Sequence, residues 1–303
     1  MPNPSLEERI LTLKKERNAV ILAHNYQRGD VQDIADFAGD SLGLSRQAAE
    51  TDAEVILFCG VHFMAETAAI ICPDKTVLIP DEHAGCPMAN MISARELAEA
   101  KREHPDAVVV CYINSTAAIK AQSDICCTSA NAVQVVATVP TDREVLFVPD
   151  QSLGGYVANQ LGRELILWPG YCPTHHRITR ELVLQTKAQH PDALFICHPE
   201  CRTEVVELAD EVASTSGMLR FCRESSHPKF IVGTEIGLLH QLRRQNPGKT
   251  FIEATMLGDC PNMKLNTLEK MVWALEDMVY EVTVPEDVAA AARGCIDRML
   301  EIV

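Results

Sequence analysis

The chain is short of positive charge. Against 42 Asp and Glu stand only 27 Lys and Arg in 303 residues, a formal net charge of -15 at pH 7. That deficit argues against a general nucleic-acid surface, because nonspecific backbone binding needs a basic face. Any anionic partner must be met by local groups. No uninterrupted apolar run approaches the ~18 residues of a membrane span, and no basic stretch precedes an apolar one near the amino terminus. No membrane association is therefore expected, and a cytoplasmic location is. The twelve cysteines form neither the dense framework of a small secreted domain nor the paired arrangement of a zinc ribbon.

What is present is a 47% apolar chain, long enough to bury a substantial core in one large domain or two to three small ones. Residues 5–17 read as a helix capped by Ser5, with Glu8 three residues on and apolar Leu6, Ile10, Leu11 and Leu13. The continuously apolar run 19–23 reads as a parallel strand covered on both faces. It ends in His24-Asn25-Tyr26, and ligands of open α/β sheets bind at the carboxyl ends of strands. A helix over 31–37, a second opened by Gly39-Asp40-Ser41, a strand over 55–60, a helix over 62–71 and a short strand over 77–80 follow.

The order then repeats. Arg95-Glu96-Leu97 matches Arg180-Glu181-Leu182, and His104-Pro105-Asp106-Ala107 matches His190-Pro191-Asp192-Ala193, at offsets of 85 and 86. The strands behind them, 108–111 and 194–197, end in Tyr112-Ile113-Asn114 and His198-Pro199-Glu200. The turn at Gly39-Asp40-Ser41 has counterparts in Thr128-Ser129-Ala130-Asn131 and Ser214-Thr215-Ser216-Gly217. Strands 55–59, 145–148 and 230–232 also correspond, and each unit closes on a Cys-Pro step: Cys86, Cys172 and Cys260, spaced by 86 and 88. The expectation is three homologous α/β units, 1–86, 87–172 and 173–261. Each is a three-layer αβα sandwich on a parallel sheet, and the three are arranged with pseudo-threefold symmetry around a central active site. Residues 262–303 read as two helices packing on the first unit.

Three equivalent cysteines aimed at one cavity offer soft ligands for zinc or an iron–sulfur cluster, and a cluster with three protein thiolates keeps one iron open as a Lewis acid. The Ser/Thr/Gly turns, at helix starts, offer backbone N–H groups and hydroxyls to phosphate or carboxylate without a basic surface. His24, Tyr26, Tyr112, Asn114, His198 and Glu200 at strand ends supply acid–base and hydrogen-bonding groups. His175 reads as a substrate contact or a support for Cys172. His176 reads as solvated, and His62 and His240 as ordinary helix residues. Cys59, Cys111, Cys197 and Cys222 read as small hydrophobes, and the neighbours Cys126-Cys127 and Cys197 with Cys201 as packing.

His24-Asn25-Tyr26-Gln27, Asp40-Ser41-Leu42, Tyr112-Ile113-Asn114-Ser115, Cys127-Thr128-Ser129-Ala130-Asn131, Cys172-Pro173-Thr174-His175, His198-Pro199-Glu200-Cys201, Thr215-Ser216-Gly217-Met218, Gly233-Thr234-Glu235 and Cys260-Pro261-Asn262-Met263-Lys264 together resemble the quinolinate synthase family. The resemblance covers nearly the whole chain. It implies a 4Fe-4S cluster on Cys86, Cys172 and Cys260, and the condensation of iminoaspartate with dihydroxyacetone phosphate to quinolinate, with loss of phosphate and two waters, in NAD biosynthesis. It further implies Tyr26, Tyr112, His198 and Glu200 as catalytic groups and His24, Ser41, Asn114, Ser129, His175 and Thr215 as substrate-binding groups. A functional link to an aspartate-oxidising enzyme belongs with the same reading. Some members of the family carry a C-terminal Cys-x-x-Cys-x-x-Cys, whereas the tail here has only Cys295, so thiol-disulfide control through that motif is not expected. The competing readings are another 4Fe-4S hydro-lyase and a non-enzymatic metal- or redox-sensing protein.

Overall fold

Short apolar runs make strands when both faces are covered, and the computed structural model, which describes residues 4–302, sorts them into three parallel four-stranded sheets. Residues 1–3 and 303, at the outer limits of the expected units and tail, lie outside the described residues. The first sheet comprises β1 (Ala19–His24), β2 (Phe37–Gly39), β3 (Val55–Cys59) and β4 (Thr76–Leu78); the second β5 (Val108–Tyr112), β6 (Ile125–Cys127), β7 (Val145–Val148) and β8 (Ile166–Leu167). The third comprises β9 (Leu194–Cys197), β10 (Glu211–Val212), β11 (Lys229–Gly233) and β12 (Thr250–Glu253). Their orders, β2-β1-β3-β4, β6-β5-β7-β8 and β10-β9-β11-β12, are the same order written three times. Helices flank each sheet, giving the three-layer αβα construction.

A repeated side-chain contact holds the first edge of each sheet. Asp36, Asp124 and Asp210 accept a backbone N–H from Ile21, Val109 and Phe195 at 2.9, 2.7 and 2.7 Å. Each carboxylate satisfies a main-chain donor on the central strand that a neighbouring strand would otherwise have to take. The central strands β1, β3, β7 and β11 are buried nearly throughout. Phe230 stacks on Phe251 with centroids 5.6 Å apart and interplanar angle 13°.

The central strands follow the expected runs, while the edges do not. The helix expected over 31–37 spans Gly29–Ile34, and Phe37–Gly39 is an edge strand. β6, β8, β10 and β12 were likewise not anticipated. They are two to four residues long, too short for a period to register, and their pairing is decided by the neighbouring strand. In the tail, the helix Leu268–Asp277 packs on the helix Leu6–Glu16, against the first sheet's layer. The last helix, Glu286–Glu301, departs from the expectation: it lies chiefly on β6 and the short helix Ala117–Lys120, with a smaller contact to the helix His62–Ile71. Its apolar stripe Ala292, Cys295, Ile296 and Met299 thus bridges the first and second sheets.

Candidate active site

All three first strands end with a polar residue, a second residue, and another polar residue, and all three ends face one cavity of about 450 Å³. His24 and Tyr26 come from β1, Tyr112 and Asn114 from β5, His198 and Glu200 from β9. In two of the three, the local fold is the same: the imidazole Nδ1 accepts the backbone N–H two residues on, Tyr26 N–H to His24 at 3.2 Å and Glu200 N–H to His198 at 3.3 Å. The His24 ring therefore carries its proton on Nε2 and is left with an N–H to offer a ligand. His198 Nδ1 also faces the Glu200 carboxylate, and its Nε2 lies 3.1 Å from Ser129 Oγ.

The three Cys-Pro steps enter the same cavity from its other side, and each opens a short helical turn: Met88–Asn90, Pro173–His176 and Met263–Leu265. Pro173 takes the first turn of its helix, where its missing N–H costs nothing, while Pro87 is the cap residue of its turn and Pro261 precedes the cap. The turns aim amides at sulfur. Met88 and Ala89 N–H point to Cys86, His175 N–H to Cys172, and Asn262 and Met263 N–H to Cys260. Burial nevertheless pushes the Cys86 thiol up to about 12 and raises Cys172 and Cys260 as well, so ionising the set calls for a cationic centre alongside. Three soft donors from three sheets, each with backbone N–H groups directed at sulfur, fit a cluster held by three thiolates. Cys172, His175 and Glu200 also bring three ligand atoms within 4.8 Å of one another, a group able to hold a metal ion.

Between the strand ends and the cysteines runs a buried chain of polar contacts. Glu200 Oε2 lies 2.9 Å from His175 Nδ1 and 3.3 Å from His198 Nδ1, and its other oxygen takes the Asn114 amide at 3.3 Å. His175 Nδ1 is also 3.1 Å from Cys172 Sγ. On its far edge, His175 Nε2 meets Thr234 Oγ1 at 2.9 Å, and Thr234 Oγ1 meets the Tyr26 hydroxyl at 2.7 Å. Burial works against the charge on Glu200, but the two imidazoles beside it hold its pKa well below the ordinary carboxylate value. Burial, reinforced by Glu200, keeps both Tyr26 and Tyr112 protonated far above the usual phenol range. Burial also drives His24 down to about 3. At the centre of the site an ionised Glu200 thus sits beside phenols and an imidazole, His24, that burial keeps neutral.

The hydroxyl turns differ in detail from the expectation. Asp40 caps the helix Ser41–Glu50 and Ser214 caps Thr215–Glu224, which makes Ser41 and Thr215 first helical residues. Ser129 does not start a helix: Ala132–Ala137 begins three residues later, capped by Asn131, so Ser129 contributes its hydroxyl from a turn. The side chain of Asn131 instead folds back onto Thr128 N–H at 2.8 Å. Thr215 Oγ1 is 2.9 Å from Asn25 Nδ2.

All of the residues expected at a site, His24, Tyr26, Ser41, Cys86, Tyr112, Asn114, Ser129, Cys172, His175, His198, Glu200, Thr215 and Cys260, line this one cavity. His176 is not a solvated bystander: it is half-buried at the mouth, 2.7 Å from Ser152 Oγ and stacked on Tyr171 at 4.4 Å. Sequence reasoning missed the role of Thr234 and Glu235, which the rule of polar strand ends finds when it is applied to β11. It also missed Arg177 and Arg202, cations on the cavity wall that no periodicity marks.

Residues 8–301 match the model of a family described as quinolinate synthetase A protein. A protein of Geobacter metallireducens named quinolinate synthase is 56% identical over 302 residues, covering 100% of this chain and 99% of the relative. One from Methanosarcina barkeri, with the same name, is 54% identical over 302 residues with the same coverage, and one from Thermodesulfovibrio yellowstonii is 54% identical over 306 residues, covering 100% of both. Neither a different hydro-lyase nor a sensor protein is favoured by these relatives.

Proposed function

The chain belongs to the quinolinate synthetase A family, an enzyme family, and from that membership we propose that it condenses iminoaspartate with dihydroxyacetone phosphate, releasing phosphate and two waters, to form quinolinate for NAD biosynthesis. The observation that carries this reading is the convergence of three Cys-Pro turns and three polar strand ends on one cavity. A 4Fe-4S cluster held by Cys86, Cys172 and Cys260 would supply Lewis-acid chemistry at its open iron, suited to polarising a carbonyl or hydroxyl for dehydration.

The chain's own side chains supply the rest. Both substrates are anions, and the protein as a whole repels them; neutral donors and two arginines meet them locally. Ser41 and Thr215, each at the first position of a ten-residue helix, pair a hydroxyl with unpaired backbone N–H groups for carboxylate or phosphate. Ser129 and Asn114 add donors, and His24 offers its Nε2–H as a neutral group. Arg177 and Arg202 supply the cationic charge on the wall. Tyr26 and Tyr112 keep their protons until a developing oxyanion can take them, the behaviour of a general acid with a high pKa. Glu200, ionised between His175 and His198, is the group able to receive a proton, with His198 beside it as the second proton carrier.

In this reading iminoaspartate comes from an aspartate-oxidising enzyme, since the imine is the two-electron oxidation product of aspartate. No helix among the described residues is long and apolar enough to cross a membrane, and we assign the protein to the cytoplasm. The test is anaerobic turnover: purified protein given iminoaspartate and dihydroxyacetone phosphate yields quinolinate, followed at its ultraviolet band, with phosphate release. Release of no phosphate and appearance of no quinolinate by protein carrying a full cluster would overturn the assignment.

A further inference from the structure

Units one and three hold their cavity hydroxyls in the same way, and unit two does not. Ser41 and Thr215 each open a ten-residue helix, and the cap residues ahead of them, Asp40 and Ser214, accept the N–H groups of Gly43 and Gly217 at 2.9 and 3.2 Å. In the second unit Thr128, Ser129 and Ala130 intervene between β6 and the cap of Ala132–Ala137, so no helix holds Ser129. The cap residue there, Asn131, does not cap its own helix with its side chain. It is 2% exposed, and its amide is spent elsewhere. Oδ1 accepts the Thr128 N–H at 2.8 Å and the Thr128 hydroxyl at 3.2 Å, while Thr128 Oγ1 accepts the Ala130 N–H at 3.2 Å. Nδ2 donates to the carbonyls of Met299 and Ile302, at the end of the last helix, at 3.3 and 3.2 Å. Both protons and both lone pairs of the amide are thus engaged, and its orientation is forced, because the two carbonyls take only N–H.

We propose that Asn131 is a positioning residue for the condensation: it ties the turn 128–130 to the end of the last helix and so holds Ser129 where its hydroxyl meets His198 on the cavity wall. The inference rests on the reading of the site given above. Ser129 stands between the two residues that this network fixes, and its Oγ is 3.1 Å from His198 Nε2. The anchor is firm. Met299 is fully buried, and Cys295, about one turn earlier on the same helix, rests on β6 with its Sγ 2.9 Å from Cys126 Sγ. An aspartate at 131 keeps an acceptor for Thr128 but sets a carboxylate oxygen against two carbonyls, and a serine is too short to reach both sides. In either case the turn loses its tie to the helix, and Ser129 is free to leave the wall.

The experiment is a double-mutant cycle on anaerobically purified protein: Asn131→Asp, Asn131→Ser, Ser129→Ala, and each Asn131 change combined with Ser129→Ala, with crystal structures of the single variants. Ser129→Ala raises the KM of the substrate that its hydroxyl meets. Asn131→Asp and Asn131→Ser raise the same KM about three- to tenfold, the cost of one hydrogen bond, with kcat within about threefold. In the Ser129→Ala background neither change adds more than about twofold, because both act through the hydroxyl already removed. The crystal structures show Ser129 Oγ displaced beyond about 3.5 Å from His198 Nε2. Should the aspartate variant not fold, the serine variant carries the same cycle. No effect of Ser129→Ala on either KM, no effect of the Asn131 changes, effects that multiply in the double variants, or Ser129 still in place once the tie is broken would each overturn the proposal. If the native protein turns over neither substrate, the functional reading fails and the crystal structures alone decide: the positioning role stands with Ser129 displaced and falls with Ser129 in place.

Discussion

His24 offers a direct measurement of how dry the site is. Burial holds its pKa at about 3 instead of the ordinary 6.5, and only 5% of the residue is exposed. The unfolded chain therefore binds a proton at His24 below pH 6.5 and the folded chain does not. Stability from this residue is complete above pH 6.5 and falls by about 1.36 kcal/mol for each pH unit below it, until the folded pKa is reached. Between pH 6.5 and pH 5.0 the loss is about 2 kcal/mol. His24→Asn keeps an acceptor for the Tyr26 N–H but cannot titrate, so the variant lacks this part of the acid sensitivity. His176 and His198, both also lowered by burial, remain in the variant and cancel in the comparison. The assay is thermal unfolding of native and variant protein at pH 7.5 and 5.0, at matched cluster content. The native protein loses roughly 4 °C more than the variant over that interval, by the scaling of melting temperature with free energy for large domains. Equal losses would mean that His24 is not held neutral by the fold, and its part as a neutral donor in the cavity would fall with it.

Replacing Cys86, Cys172 or Cys260 singly by Ala removes the visible absorption of the cluster and turnover together, whereas Cys222→Ala, buried beside the third sheet, leaves both in place; absorption and iron analysis check this. Glu200→Gln keeps the shape but gives His175 a neutral acceptor in place of a charged one. The difference is worth about 1–1.5 kcal/mol, so kcat falls about 5- to 13-fold in the quinolinate assay, and a change under twofold would remove Glu200 from proton transfer. Glu235 lies fully buried, 2.8 Å from Lys264, and accepts the Cys260 N–H at 3.0 Å and the Gly237 N–H at 2.7 Å. Glu235→Ala leaves the Cys260 and Gly237 amides without an acceptor and Lys264 with the Tyr26 carbonyl as its remaining close partner, and costs about 2–5 kcal/mol by denaturation, with looser cluster retention because the Cys260 turn loses its anchor.

Much of this site lay open in the linear order of residues because the protein writes the same unit three times. One strand-end histidine such as His24 carries little meaning alone, but Tyr112 and His198 at matching offsets mark a common position. Cys86, Cys172 and Cys260 acquire theirs in the same way. The Cys172-Pro173 step even specifies its local geometry, since proline at the first helical position suits the turn that directs a backbone amide back at sulfur.

What order and spacing left undetermined falls into two kinds. Edge strands such as β8 and β10, two residues each, have no pattern of their own and exist only because a neighbour offers its hydrogen bonds. The last helix presents a stripe that could bury against any apolar surface, and the folded chain selects β6 and the helix Ala117–Lys120. Protonation states were equally illegible: the ionised Glu200, the neutral His24 and the hydroxyl of Thr234 between Tyr26 and His175 depend on groups up to 208 residues apart meeting in one buried space. Sequence by itself determined the repeat, the strand cores and the residue types delivered to the centre, because each follows from short-range pattern and internal alignment. Tertiary structure alone decided how those residues face one another and which of them hold protons, because burial and pairing are properties of the assembled cavity.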